Sequence, residues 1–511
     1  MMPIESELKL QLDPRHVARL HDHPLFQGAK RRTTRQLYSV YYDTAGLDLW
    51  RAGITLRLRR AGEHWVQTVT YGGHAAGGWH ERNQTEHAIT TQFPDFSLLE
   101  GSEIAKAFVS LELRAQLKPL VVAEFTRVHC VLSPAAGVSV DARIDSGQLK
   151  SGDATAPLCE LELGVKSGPA WRVFQVAIQL LKTVPLLVED RAKAARGIAL
   201  HRLSPSKPRK APSSPLAAGM ICNDAFKALI LMCIAHYAAN QRGMLKGADP
   251  EYLHQMRVAL RRLRSVFSTF APLFPATVLE PPVAETRRLG RALGEARDWD
   301  VFIAETLPPV AAHYPNHGGL TALAQAAARE RRAATGMARR AVTSAPGQGL
   351  LLSLGAWVSA ETWLEALDES QQHALQQPAF DFARTVLDAA LKRVRRRGRN
   401  FENLAPAALH RLRIAAKKLR YAAEFFAPMF DQNAARDYRA VLTRLQDTLG
   451  SYNDAVKMAH LAERACRALA GAPANEARGI MLGWSAGMQH AGTRYLQRIW
   501  KDFRGAEPFW K

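Results

Sequence analysis

One pattern occurs twice in this chain, 156 positions apart, so the C-terminal part must be built from two related units. His254, Arg257, Arg261 and Arg264 correspond to His410, Arg413, Lys417 and Arg420. At the same offset Phe270, Pro272 and Phe274 of STFAPLF match Phe426, Pro428 and Phe430 of EFFAPMF, Gly294 matches Gly450, and Asp298 matches Asp454. A register held over that length marks an internal duplication. On a helix, positions i, i+3, i+7 and i+10 fall within one arc of about 80°. Each set is therefore a His/Arg/Lys stripe, with Met256, Leu260, Leu263 and Phe267, or Leu412, Leu419 and Phe426, on the far side for packing. The stripes contain no carboxylate and no aromatic residue, and a helix gains nothing from such self-repulsion. An anionic counterpart is expected.

Charge is distributed to match. Residues 1–200 carry 24 Lys/Arg against 21 Asp/Glu, whereas 201–511 carry 44 against 26. The second half is the anion binder, with polyphosphate, nucleic acid and acidic membrane as candidate partners. Ser204–Pro215, rich in Pro, Ser and Lys, has no hydrophobic period and reads as a semi-extended linker at 204–216. Beyond it, Ala/Leu/Arg-rich segments read as amphipathic helices, in repeats near 217–375 and 376–511 with room for about four helices each. The basic run Lys392–Arg399 reads equally as a second anion-binding patch or a solvated face.

Five cysteines with no CxxC pair or zinc spacing suit a reduced compartment. The opening MMPIESELKL is too acidic and too poor in apolar residues for a signal peptide. The longest apolar run, Ala228–Ala239, is too short to span a bilayer. A cytoplasmic protein is expected. No Walker A loop, HExxH, GxSxG or Rossmann fingerprint occurs, which argues against ATP-driven chemistry.

Before the linker, short alternating segments predict antiparallel strands. In IESELKL, Glu5, Glu7 and Lys9 share one strand face; Arg57 and Arg59 do so in TLRLRR, and Glu160 and Glu162 in CELEL. Any one such strand suits a half-exposed sheet with solvated charges. Acids grouped on some strands and arginines on another also suit a metal-plus-phosphate site, because carboxylates hold Mg2+ or Mn2+ and guanidinium forks grip phosphate oxygens.

The ExExK opening, YYDT at Tyr41–Thr44, LRLR around Arg57 and Arg59, DSG at Asp145–Gly147, CELEL and KAARG at Lys193–Gly197 resemble the CYTH domain, the triphosphate tunnel metalloenzyme fold, across residues 1–203. The resemblance implies an eight-stranded antiparallel β tunnel with flanking helices. Within it Glu5, Glu7, Glu160 and Glu162 would be the metal-side carboxylates and Lys9, Arg57, Arg59, Arg82, Arg127 and Lys193 the phosphate clamps. Glu5, Glu7, Lys9, Arg57 and Arg59 would form the catalytic set for metal-assisted in-line hydrolysis. Three positions depart from the family pattern: Thr70 where a lysine is usual, Gln84 where a glutamate is common, and Gly164 where a third acid often follows CELEL.

HQMRVALRRLR at His254–Arg264, its partner HRLRIAAKKLRY, and LGEARDWD and LGSYND resemble the CHAD domain across 217–511. This resemblance implies a pair of four-helix bundles whose stripes share one groove for inorganic polyphosphate, and association with polyphosphate granules. His254 and His410, if protonated, would donate to phosphate, so affinity would rise at lower pH. Asp298 and Asp454 read as helix caps or as partners that orient a stripe arginine. The leading expectation is a metal-dependent inorganic triphosphatase joined to a polyphosphate-binding helical domain. The alternatives are a non-catalytic polyphosphate binder, which Thr70 and Gln84 favour, and nucleic-acid binding through the basic half.

Overall fold

A computed structural model describes residues 4–202, 207–247, 249–467, 469 and 471–511. The chain divides into two compact units: residues up to Lys207 together with Thr343–Glu361, and Pro208–Val342 together with Thr362–Lys511.

Period-two alternation builds the first unit. Strands β1 (Ile4–Leu12), β2 (Lys30–Asp43), β3 (Ile54–Ala61), β4 (His64–Ala76), β5 (Trp79–Ile89), β6 (Lys118–Ala135), β7 (Val138–Ser151) and β8 (Ala154–Ser167) are antiparallel neighbours in the order β5-β4-β3-β2-β6-β7-β8-β1. Pairing of β1 with β5 closes them into a barrel, so the expected eight-stranded tunnel is what forms. A ninth strand, β9 (Leu186–Val188), adds only three residues to the outer part of β1.

The barrel is inverted relative to an apolar core. Leu8, Leu10, Leu56, Leu58, Leu161 and Leu163 are wholly buried on the outer face, and the charged residues that alternate with them point inward. An apolar outer wall needs cover. Leu56 and Val69 pack under Leu99, Ile104 and Phe108, and helix α1 (Trp171–Leu181) lays Val173, Val176, Ala177 and Leu180 against the barrel side. Helix α2 (Lys193–His201) sends Ala194 and Ile198 into a cluster with Leu37, Tyr41, Val121 and Phe125.

The second unit is helical. Its first repeat supplies α3 (Cys222–Lys246), α4 (Pro250–Phe270), α5 (Ala276–Val301) and α6 (Gly318–Thr343); then comes α7 (Ala345–Ala360), and the second repeat supplies α8 (Ala379–Arg397), α9 (Pro406–Phe426), α10 (Gln432–Cys466) and α11 (Ala472–Gly505). Corresponding helices start 154 to 157 residues apart, so the duplication read in the sequence is a duplication of elements. Pro250 and Pro406 open α4 and α9 in their first turns, where a missing N–H costs nothing, and Asp249 caps α4 through Glu251 N at 2.8 Å. The repeats share an aromatic core: Phe270 and its counterpart Phe426 have ring centroids 6.2 Å apart, and Phe382 lies 5.1 Å from Phe270.

Two boundaries differ from the sequence reading. Helix α7 was expected inside the first helical repeat but belongs to the barrel unit, because its LLLSLGAWV run is apolar on every side and cannot serve as one face of an amphipathic bundle. Pro208–Pro215 is not a free spacer either. Asn240 accepts from Arg209 N and donates to Arg209 O, both at 2.9 Å, Arg262 donates to Pro212 O at 2.9 Å, and Leu216 is buried. A proline-rich stretch has few N–H groups of its own to pair, so its carbonyls are open to side-chain donors. Leu203, at the end of the expected first domain, and Ser204–Ser206 of the expected linker lie outside the described residues. No described helix is long and apolar enough to cross a membrane, and the Ala228–Ala239 run is buried in α3.

Candidate functional site

The lumen of the barrel is a cavity of about 640 Å³ lined by ten Lys/Arg side chains and five carboxylates. Its ligand-facing rows follow from register. Glu5 on β1 stands opposite Arg82 on β5, Lys9 opposite Glu162 on β8, and Glu162 opposite Arg143 on β7. On the other wall Arg57 stands between Tyr41 and Thr68, and Thr68 opposite Glu86. Of the residues singled out from sequence, Glu5, Glu7, Lys9, Arg57, Arg59, Arg82, Arg127, Glu162 and Lys193 all line this space.

Glu160 does not. It is fully buried, held by Lys193 and by Arg196 Nη1 at 2.6 Å. Two residues N-terminal to the lumen-facing Glu162, it shares that strand face but lies beyond the point where α2 seals the barrel. Asp145, Glu160 and Glu162 form a buried carboxylate triangle whose oxygens lie within 4.8 Å of one another. The Lys193 ammonium bonds all three, at 2.7 Å to Asp145 and 2.8 Å to Glu162, with Glu160 closer still. A cation is already provided there, so a metal ion would have to displace Lys193.

Charge compensation divides the lumen in two. At the end near β1, Lys9 pairs with Glu7 at 2.6 Å and with Glu162; Arg82 reaches Glu7 at 2.9 Å; Arg127 reaches Asp145 at 2.6 Å and Glu162 at 2.8 Å; and Arg143 lies 3.5 Å from Glu7. Burial alone would push Glu162 up, but Lys193, Lys9 and Arg127 outweigh it and hold this carboxyl well below the ordinary range. Burial likewise opposes Glu7, yet Lys9 and Arg82 bring it down to about 2. Glu5 is different. Burial and the neighbouring Glu7 charge push it up, and its one ion-pair partner among the described residues is Arg82 Nε at 3.8 Å. A half-buried carboxylate short of positive charge, Glu5, beside Glu7 and with Glu162 behind them, makes an oxygen-ligand set of the kind that suits a hard divalent cation.

The opposite wall has the reverse imbalance. Arg57 and Arg59 share one partner, Glu86, at 3.5 Å each. Arg57 crowds the Arg59 guanidinium and burial adds to this, bringing it down to about 10. Arg35 and Lys166 also line the lumen and make no ion pair among the described residues. Thr70 and Gln84, two of the departures from the family pattern, are direct cross-strand partners facing the lumen. They form one neutral pair, so together they leave the net charge of the lumen as a Lys–Glu pair would.

Arg35, Glu86, Arg143 and Asp145 were not singled out from sequence. Strand alternation carries the first three: each lies an even number of residues from a lumen residue on the same strand or faces one across a register. Asp145 was visible within the DSG motif, but its role in holding Lys193 depends on α2 folding back onto β7.

In the helical unit, α4 and α9 bring the two stripes together. Burial pushes the Lys417 amine down to about 7, and Arg261, Arg413, Arg257 and Arg264 add to this in turn, so cations of both repeats surround it. Nε of Arg261 and of Arg413 is enclosed without a hydrogen-bond partner. Three details correct the sequence picture. Carboxylates do approach the stripes: Asp298 lies 3.6 Å from Arg257 and 3.1 Å from Lys457, and Glu424 pairs with Arg420 at 2.6 Å. An aromatic ring adjoins them too, since Arg420 lies 4.9 Å from the centroid of Tyr421. Burial, then Arg297, bring His254 down to about 4, so it stays neutral at ordinary pH, while His410 is exposed. Lys417 is thus a stripe group whose amine is brought into the neutral range. Asp454 is exposed, as are Lys392, Arg393, Arg395, Arg396, Arg397 and Arg399 of the basic run.

Residues 3–198 match the CYTH domain family and residues 228–463 the CHAD domain family. A crystal structure of the CHAD domain from the plant Ricinus communis is 30% identical, with a TM-score of 0.52, and covers 59% of this chain and 98% of its own. An uncharacterized protein of Mycobacterium tuberculosis is 25% identical over 487 residues, which is 87% of this chain and 86% of that protein. A putative adenylyl cyclase from Hippeastrum, described as revealing a dominant triphosphatase activity, is 21% identical with a TM-score of 0.31, over 38% of this chain and 95% of that one.

Proposed function

Given that the chain belongs to the proteins that join a CYTH domain to a CHAD domain, we propose that its barrel hydrolyses inorganic triphosphate to diphosphate and phosphate and that its helical unit binds inorganic polyphosphate. The observation that carries the first part is the excess of guanidinium and ammonium groups facing a closed lumen of about 640 Å³. A short, densely charged phosphate chain supplies the missing negative charge without needing an apolar pocket, and guanidinium forks meet its oxygens in bidentate fashion. Arg57, Arg59 and Arg35 bind and orient that chain from one wall. Lys9, Arg82 and Arg127, already fixed by their carboxylates, offer preorganised charge from the other, which is the form in which electrostatics lowers a phosphoryl-transfer barrier. Glu5, Glu7 and Glu162 would hold Mg2+ or Mn2+, which when bound supplies Lewis acidity toward phosphate oxygens. Arg82, against Glu5 and Glu7, and Lys9, against Glu7 and Glu162, would hold these carboxylates in place for that ion.

Turnover of triphosphate, ATP and thiamine triphosphate with Mg2+ and with Mn2+ tests this reading. Triphosphate is expected to be the preferred substrate, and Glu5→Gln with Glu7→Gln to lower turnover by about 100-fold or more, the scale of losing electrostatic groups at a transition state. Equal phosphate release by wild type and the double variant would exclude hydrolysis. The Thr70–Gln84 pair favours a second reading, in which the lumen binds condensed phosphate without cleaving it. Restoring Thr70→Lys would then create activity in a chain that otherwise has none, whereas an active wild type rules that reading out.

For the helical unit, the support is the meeting of two stripes around Lys417. A polyphosphate has a charge on every unit and no bases, so it needs a dense cationic track rather than stacking platforms. Tethering the two units raises the concentration of phosphate chains near the barrel. The fusion and the stripes suit a cytoplasmic protein that can associate with polyphosphate granules.

A further inference from the structure

Helix α7 lies in sequence between the two helical repeats, outside the four-helix correspondence, yet it is folded into the barrel unit. Ser344 caps it through Gly347 N at 3.2 Å, and Leu350, Leu351, Leu354 and Val358 are buried along it. Two of its residues tie it closely to the rest of the barrel unit. Gln348, wholly buried, accepts from the backbone N–H of Val188 at 2.8 Å. Gly355 lies so close to the Phe174 ring of α1 that a Cβ there would overlap it.

Both contacts lead to the line where β1 and β5 close the barrel. Val188 pairs with Leu10 of β1; the next residue, Glu189, donates its N–H to Lys9 O at 3.1 Å and its carbonyl meets His80 Nε2 at 3.0 Å; Asp190 accepts from Gly78 N at 2.5 Å. The Gly78 carbonyl accepts from Lys9 N–H at 2.8 Å, and at φ 82° its place against Leu8 and Val188 admits only glycine. From the other contact, Phe174 packs on Trp79 with centroids 5.4 Å apart, and Trp79 stands opposite Leu8. Three residues beyond Asp190 comes Lys193, the ammonium inside the carboxylate triangle.

We propose that α7 is a staple on the closing seam of the barrel, and that Gln348 is a positioning residue which, through Val188, sets Lys193 and the β1 charges in the lumen. The first 200 residues then close the tunnel, and a helix encoded within the helical half braces its seam. Only the consequence for triphosphate rests on the function proposed above.

The test uses the full chain and a lysine-reactive acylating reagent under native conditions, with labelling read by mass spectrometry. In wild type Lys193 is expected to label slowly. Gln348→Leu keeps the volume but removes the acceptor for Val188 N–H, and Lys193 labelling is expected to rise about tenfold as the seam opens locally. Labelling of Lys417 in the other unit should not change, which separates a local opening from general unfolding. Gln348→Glu keeps an acceptor oxygen, as the neutral acid that so buried a place favours, and is expected to leave Lys193 less labelled than Gln348→Leu does. Gly355→Ala approaches the same seam through Phe174 and is expected to raise Lys193 labelling about threefold, so the proposal stays testable if Gln348→Leu does not fold. The KM for triphosphate should rise in parallel with little change in kcat. Unchanged Lys193 labelling in the variants that fold overturns the staple, whether or not the chain binds triphosphate; absence of triphosphate binding by wild type overturns the function and leaves the labelling result standing.

Discussion

Replacing Lys193 by methionine is expected to destabilise the barrel unit by about 3–5 kcal/mol, the cost of removing one partner from a buried ion cluster. Asp145 and Glu160 are 0% exposed and Glu162 is 4% exposed, so none can recruit bulk water when the ammonium is gone. Arg127, Arg196 and Lys9 remain, but each is already committed to a different carboxylate oxygen. Burial opposes the Lys193 charge and the three acids more than offset it, so its pKa is raised above the ordinary lysine value. A raised lysine contributes its stability in full below its unfolded value, and loses it only as pH rises through the folded one, so at pH 7 the whole effect is present. In the variant the acids lose their cation and their pKa values rise. Protonation then relieves the repulsion, and the gap between variant and wild type should narrow as pH is lowered from 7 toward 5. Urea unfolding followed by tryptophan fluorescence measures both. A loss under about 1 kcal/mol would mean that Lys193 is a peripheral charge and that the triangle is open to another cation.

The second large effect is expected in the helical unit and has the opposite stability signature. Arg261→Glu with Lys417→Glu should weaken long-chain polyphosphate binding by about 100-fold or more, because like charge is set against the ligand at the centre of the track. The salt dependence of binding should become shallower as phosphate contacts are lost. Folding stability should hold or rise, since Lys417 is lowered first by burial and then by four surrounding arginines, a repulsion the fold tolerates without benefit to itself. Residues kept at a cost to stability are characteristic of binding sites. The empty site releases its Lys417 proton near pH 7 and a bound polyanion restores it, so wild-type affinity should fall by up to about tenfold per pH unit above 7. Lys417→Arg should flatten that slope. Equal competition by DNA, RNA and polyphosphate at fixed salt would instead favour a general polyanion surface.

Much of the lumen was legible because strand alternation is a short-range rule. Glu5, Glu7 and Lys9 had to share a face, and the wholly buried Leu8 and Leu10 on the other face show that the charged one points inward. The stripes were legible for the same reason on a helical period, and repetition at one spacing removed chance. What alternation cannot reveal is depth along the barrel: Glu160 and Glu162 share a face, but α2 leaves one in the lumen and seals the other behind Lys193. Nor could local pattern assign α7, whose uniformly apolar sequence states that it is buried without stating against what. Charge pairing across repeats, such as Lys457 with Asp298, joins residues 159 positions apart and has no sequence signal at all.

The central claim is that the lumen grips condensed phosphate through arginines whose charge it leaves unbalanced, Arg57 and Arg59 sharing the one carboxylate of Glu86. Calorimetric titration of inorganic triphosphate into the full chain measures this directly, against Arg57→Ala with Arg59→Ala. One triphosphate per chain is expected, weakened by about 100-fold in the double variant, as for removal of two charge-assisted contacts. Equal affinity of the two proteins, or no heat of binding to wild type, would contradict it.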